Sequence, residues 1–167
     1  MSLDEEKWRK FDEKYSKVSE CTRKSASMKD ALPCYEYLYK LKDTIPKELY
    51  AFYFRKLLQM NTNNVSKELR LKMFENVNRN DIMYEEELDF IDKQFDDYIT
   101  VYRGASKEEI EPGLSWTIYK YVAEETYYNG KLFKAIIPKS SILLYFKKHE
   151  AEGEIIANVT SGYEVIK

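Results

Sequence analysis

The sequence predicts an α+β fold, with helices gathered in the first part of the chain and strands in the second. Two observations carry that reading. Up to about Asp97, apolar side chains recur three and four residues apart among charged ones, the spacing of a buried helical stripe. Beyond it come short β-branched and aromatic runs separated by turn residues, with a single helical stretch among them. The expected organisation is a helical segment over 1–97 and a β-rich core over 98–167. That core is small to stand alone, so the helices are expected to pack on it instead of forming a separate domain.

Taken in order, Leu3 to about Glu20 places Trp8, Phe11, Tyr15 and Val18 on one helical face, with Trp8 as the expected core anchor. Cys21 to Asp30 is polar and reads as a connection. Pro33 suits the first turn of a helix reaching about Asp43, with Tyr35, Leu38 and Tyr39 inward. Pro46 to Met60 carries Leu49, Phe52, Tyr53, Leu57 and Met60, which leaves little polar surface and makes this helix the expected centre of the helical part. The run Asn61-Thr62-Asn63-Asn64 breaks the chain and can cap a helix in which Val65, Leu69, Met73 and Val77 fall four apart. A further helix from about Asp81 carries Tyr84, Leu88, Ile91 and Phe95. Strands are predicted at Tyr98 to Arg103, Leu114 to Thr117, Lys131 to Pro138, Ser141 to Phe146, Glu152 to Val159 and Tyr163 to Lys167. A helix fills Ile118 to Tyr128, and Glu111-Pro112-Gly113 and Asn129-Gly130 supply turns.

Composition excludes several classes. With 27 Lys and Arg against 29 Asp and Glu, the net charge is -2, so no global field favours nucleic acid or an anionic membrane surface. Met1 to Glu20 is charged throughout, unlike a signal peptide, and no apolar run approaches the length of a bilayer span; a cytoplasmic protein is expected. Cys21 and Cys34 can in principle pair, but without secretory context they are expected to be reduced, semi-buried thiols. With His149 the single histidine, no zinc or other metal site is expected. The many tyrosines, lysines and asparagines read first as the codon bias of an AT-rich genome.

The chemistry-bearing residues lie in the second half. Glu152 and Glu154 stand two apart at the start of an alternating run, which on a strand places both carboxylates on one face. Arg103, in the stretch Val101-Tyr102-Arg103-Gly104, ends a predicted strand, and Ser115 and Thr117 flank Trp116 in Gly113-Leu114-Ser115-Trp116-Thr117. In this order, over roughly Tyr98 to Asn158, the motifs resemble the mono-ADP-ribosyltransferases of the Arg-Ser-Glu class, which includes bacterial toxins and phage enzymes.

The resemblance implies a small mixed, split β-sheet core and a reaction that consumes oxidised nicotinamide adenine dinucleotide (NAD) as co-substrate. NAD carries a cationic leaving group, so breaking its nicotinamide to ribose bond needs no general acid; it needs a fixed carboxylate beside an oxocarbenium-like transition state. By resemblance Glu154 is that carboxylate, Arg103 binds the dinucleotide phosphates, Gly104 admits the nicotinamide amide, and Ser115 and Thr117 brace the cleft. Trp116, Tyr119, Tyr121 and Tyr145 are the aromatic candidates for the nicotinamide. Glu152 corresponds to the position where a carboxylate marks arginine-modifying members, and Lys147-Lys148-His149-Glu150-Ala151 to the loop that reads the target.

The expected function is transfer of ADP-ribose to a protein side chain, arginine favoured, by a phage or toxin-like effector acting in the cytoplasm, its own or a host's, as a monomer. Two alternatives stand beside it: an NAD glycohydrolase with the same site, and an inactive binding module or inhibitor on the same fold.

Overall fold

The computed structural model describes residue 10 and residues 13–24, 31–59, 64–126, 130–147 and 151–167. Trp8, Phe11, Met60, most of the asparagine run, Asn129 and His149 lie outside the described residues. The chain divides into two compact units, Met1–Ile82 and Met83–Lys167. The division precedes the last helix of the predicted helical segment, which therefore belongs with the strands.

The first unit contains α1 (Ser16–Lys24), α2 (Leu32–Lys40), α3 (Lys47–Leu58), α4 (Lys67–Phe74) and the short α5 (Arg79–Ile82). Proline opens α2 from within its first turn and precedes α3, as its fixed φ and missing N–H allow at a helix start. Ser66 caps α4 by accepting the Leu69 N–H at 3.1 Å, so the cap is this serine and not the asparagine run before it. Helix α3 is the centre of the unit and packs against α1, α2 and α5. Leu49, Tyr50, Ala51, Tyr53, Phe54 and Leu57 are all buried along it, whereas Phe52, expected inward, is half-buried. Phe54 meets Phe74 and Tyr35 edge-on, with ring centroids 4.7 and 6.3 Å away, an arrangement that sets positive ring edges against negative faces. Arg55 is also buried, and its Nη1 donates to the Ile82 carbonyl at 2.9 Å, satisfying an orphan acceptor at the end of α5.

Cys21 on α1 and Cys34 on α2 form a disulfide, with Cα atoms 5.6 Å apart. This corrects the expectation of two reduced thiols: α1 continues past Cys21 to Lys24 where a polar connection was predicted, and its packing against α2 brings the two sulfurs together.

The second unit begins with α6 (Glu85–Gln94), continues through β1 (Tyr98–Ala105), β2 (Ser115–Thr117), α7 (Lys120–Thr126), β3 (Lys131–Pro138) and a 3-10 turn at Lys139–Ser141, and ends with β4 (Ile142–Tyr145), β5 (Glu154–Ala157) and β6 (Tyr163–Val165). The six strands form one sheet in the order β4-β5-β2-β1-β3-β6, and every pairing is antiparallel, which corrects the mixed sheet expected. All of β1 pairs with β3, from Tyr98 opposite Pro138 to Ala105 opposite Lys131. By contrast, β1 and β2 share a single paired position, Tyr102 opposite Thr117. The sheet is therefore two three-stranded halves joined at a narrow seam, and Arg103 stands on one side of it with Ser115 on the other.

Helix α6 secures the outer strand of one half. Phe90 stacks face to face on Tyr145 at 4.8 Å. Glu87, fully buried, accepts the Tyr84 N–H at the helix start and the Lys147 N–H just past β4, both at 2.9 Å. Two charge-assisted hydrogen bonds compensate the burial of that carboxylate. Helix α7 packs on β1 and β2. Among the described residues no helix is long and apolar enough to cross a membrane.

The disulfide gives the first prediction. The two cysteines lie 13 residues apart, and closing a loop of that size stabilises the native state by about 3 kcal/mol through the unfolded chain. Protein unfolded without reductant is expected to show no reactive thiol, and Cys21→Ser/Cys34→Ser to melt at lower temperature in calorimetry; two titratable thiols in freshly purified protein would rule the pairing out.

Candidate active site

Arg103 lies within β1, two residues before its end, and its side chain is 18% exposed. Three of its five guanidinium N–H donors are engaged with described residues. Nε and Nη2 donate to the two carboxylate oxygens of Glu109, at 2.8 and 3.0 Å, and Nη1 donates across the seam to the main-chain carbonyl of Ser115 at 2.9 Å. Such a parallel fork fixes the plane of the guanidinium as well as its position. Glu109 also accepts the Gly113 N–H at 2.9 Å, while its own carbonyl accepts from Lys131 Nζ at 2.9 Å. A Cβ at Gly113 would lie 2.7 Å from Arg103 Nη2 and 2.9 Å from Cζ, so a side chain there would shift the end of the arginine.

On β2, Ser115 and Thr117 project to one face and Trp116 to the other. The Ser115 hydroxyl donates to Glu154 Oε1 at 2.8 Å, reaching diagonally across the pair in which Thr117 lies opposite Glu154. Thr117 Oγ1 donates to the Glu152 carbonyl and accepts the Tyr119 N–H at 3.0 Å. Arg103, Ser115 and Glu154 thus form one connected series: guanidinium to serine carbonyl, serine hydroxyl to carboxylate.

Glu154 begins β5, but Glu152 does not share its strand. It sits in a turn, exposed, so the expectation of two carboxylates on one strand face is corrected. The turn depends on Gly153, whose φ of +55° is costly for residues with a side chain. A Cβ there would also lie 2.5 Å from Ile118 Cγ1 and 2.8 Å from the Tyr119 ring. Glycine between the two glutamates therefore lets the chain swing from an exposed carboxylate to a half-buried one within two residues. Of the preceding loop, 148–150 lie outside the described residues; Lys147 is held by the Glu87 carboxylate at its N–H and by Glu86 at Nζ, 2.9 Å in each case.

The aromatic candidates separate by burial. Trp116 is 2% exposed and Tyr145 is fully buried against Phe90, so both pack in the core. Tyr119 and Tyr121 stack on each other at 5.6 Å beside the Gly153 turn, with Tyr121 54% exposed and its hydroxyl 3.3 Å from the Ala151 carbonyl. Gly104 is buried in β1 opposite Leu132. Among the described residues no group of His, Cys, Asp and Glu is arranged to hold a metal ion.

Sequence reasoning missed Glu109. Its signal is an acidic residue in the short interval between Arg103 and Gly113, where the spacing suits a loop that folds back on the arginine. Burial acts to raise its carboxyl, but the hydrogen bond and charge of Arg103, the Gly113 N–H and the Lys131 charge outweigh that and hold it below the ordinary glutamate value of 4.5.

Neither a protein family, nor a curated protein, nor a solved structure matches this chain.

The Glu109 shift fixes a pH dependence. A carboxyl depressed in the folded state adds stability that is fully present above its unfolded value of 4.5 and is lost as pH falls through the lower folded value. Urea titrations across pH 3 to 7, a range set about the usual carboxylate values, are expected to show wild type more stable than Glu109→Gln at the upper end, the two converging at the lower. A pH-independent gap would exclude a charged Glu109.

Proposed function

We propose that the chain is an NAD-dependent mono-ADP-ribosyltransferase that modifies a protein side chain, arginine favoured, with a core of the ADP-ribosyltransferase type. The observation that carries this reading is the Ser115 hydroxyl on Glu154 Oε1 at 2.8 Å, continued by Arg103 Nη1 on the Ser115 carbonyl at 2.9 Å. Three residue types chosen from sequence order alone meet across the seam, with the serine as the brace between cation and carboxylate. The seam itself, two antiparallel halves touching at Tyr102 and Thr117, supports the split-core reading.

The chemistry follows from the charges. In NAD the bond between the ribose anomeric carbon and the nicotinamide nitrogen breaks with its electron pair moving to the ring, which neutralises the pyridinium and leaves positive charge on the sugar. A carboxylate held still by a serine hydroxyl meets that charge without having to reorganise. Glu154 is that carboxylate, and the Ser115 hydroxyl on Oε1 limits its rotation. Arg103 presents its remaining N–H donors to phosphate oxygen. The incoming guanidine nitrogen bonds to the anomeric carbon and gives up a proton, and the exposure of Glu152 in its turn supports its role as the acceptor of that proton. Tyr119 and Tyr121 are the aromatic surface open to the nicotinamide. Where dinucleotide and target protein meet is the cytoplasm, of this cell or of a host.

Hydrolysis is the second reading. The same exposure that makes Glu152 accessible to a target makes it accessible to water, which as acceptor would give free ADP-ribose.

Glu154→Gln removes a preorganised charge opposite the developing cation and is expected to lower nicotinamide release by at least about 10²-fold; near wild-type turnover would exclude Glu154 as that group. With labelled dinucleotide and a cell lysate, Glu152→Ala is expected to abolish label on protein while nicotinamide release persists. Equal loss of both activities would remove the acceptor-side role of Glu152, and a wild-type protein that neither binds the dinucleotide nor releases nicotinamide would overturn the transferase reading as a whole.

A further inference from the structure

The loop between Arg103 and Ser115 contains a carboxylate that the transferase chemistry does not use. Glu109 takes both N–H groups on one edge of the guanidinium, is itself fixed by the Gly113 N–H, and has its main chain held by Lys131 Nζ. Its side chain is 24% exposed, while its neighbours Ser106, Lys107, Glu108, Ile110 and Glu111 are exposed, so this acid alone turns inward from a solvated loop. Two arrangements would account for such a pair. Glu109 could stand in for a phosphate and be displaced when the dinucleotide arrives, or it could stay and aim the arginine.

The tethers decide between them. Displacing Glu109 would break two charge-assisted bonds and the Gly113 bond together, and would release the fork that fixes the plane of the guanidinium. Retaining it leaves two guanidinium N–H groups with fixed directions for a phosphate oxygen. Gly113 adds to this: its bare Cα is what permits the guanidinium to lie where Glu109 holds it.

Resting on the transferase reading, we infer that Glu109 is a positioning residue for dinucleotide binding, acting through Arg103. Because the pair is neutral as a unit, Arg103 recognises phosphate by directed hydrogen bonds more than by net charge, and binding should weaken little with added salt.

Calorimetric titration of the full chain with NAD tests this without turnover. Glu109→Gln and Arg103→Ala are each expected to weaken binding by about tenfold or more, the scale of lost charge-assisted hydrogen bonds. The double variant should be no weaker than Arg103→Ala alone within about twofold, because a residue that acts through Arg103 has nothing to act on once it is gone. Gly113→Ala, which keeps both charges but crowds the guanidinium, should lose affinity as Glu109→Gln does, and it carries the test if Glu109→Gln fails to fold. Unchanged or tighter binding by Glu109→Gln, multiplicative losses in the double variant, or wild-type affinity in Gly113→Ala would each overturn the role. Failure of wild type to bind NAD would instead overturn the transferase reading beneath it.

Discussion

Arg103 stands at the edge of the weakest seam in the sheet, and Glu109 holds it there. Main-chain pairing between β1 and β2 amounts to Tyr102 opposite Thr117, so what keeps the arginine facing Ser115 is a side-chain system: the Glu109 fork, the Gly113 N–H that fixes Glu109, and the Nη1 bond to the Ser115 carbonyl. Each member depends on the next. An isolated surface ion pair contributes little, but a pair with both partners mostly buried and further tethered is costly to break from one side, about 3–5 kcal/mol where burial is complete. The geometry of the candidate site is therefore inseparable from that pair.

A buried carboxylate plays a comparable part just past the end of β4. Glu87 bonds the start of α6 and the Lys147 N–H, so the chain enters the segment before Glu152 from a fixed point. Gly153 then redirects it by taking a φ of +55° where Ile118 and Tyr119 leave no room for a Cβ. A buried acid, a glycine and a serine hydroxyl are thus what set the two glutamates in their different surroundings, one exposed and one braced. Apolar packing supplies the rigid background: Trp116, Tyr145, Phe146, Ile155 and Ile156 are all buried around these strands.

How much of this was legible in the sequence follows from the range of the forces involved. Helices α2 and α3 were readable because proline placement and apolar spacing are local, and the strand series was readable from β-branched runs and turn residues. Arg103, Ser115 and Glu154 were legible as an ordered trio, and they are brought into contact. The disulfide was not, because whether Cys21 and Cys34 meet depends on how α1 packs on α2 and not on either residue's neighbours. Glu152 was misplaced on a strand because alternation treats every residue as extended, whereas Gly153 adopts a left-handed conformation that alternation does not register. Trp116 could not be assigned to core or cleft until the opposite face of β2 was known to be covered. Glu109 escaped notice because the interval after Arg103 also holds Glu108 and Glu111, and nothing in the sequence says which of the three folds back on the arginine.

The seam has a further consequence for how the molecule fails. Every strand pairing within a half joins three or more positions, with one irregularity between β4 and β5, but the boundary between the halves is closed by one, and the Arg103–Ser115–Glu154 series straddles that boundary. Misalignment at this boundary would leave the ladders of both halves intact, so far-ultraviolet circular dichroism is expected to register it less than a probe placed at Arg103 or Ser115 would.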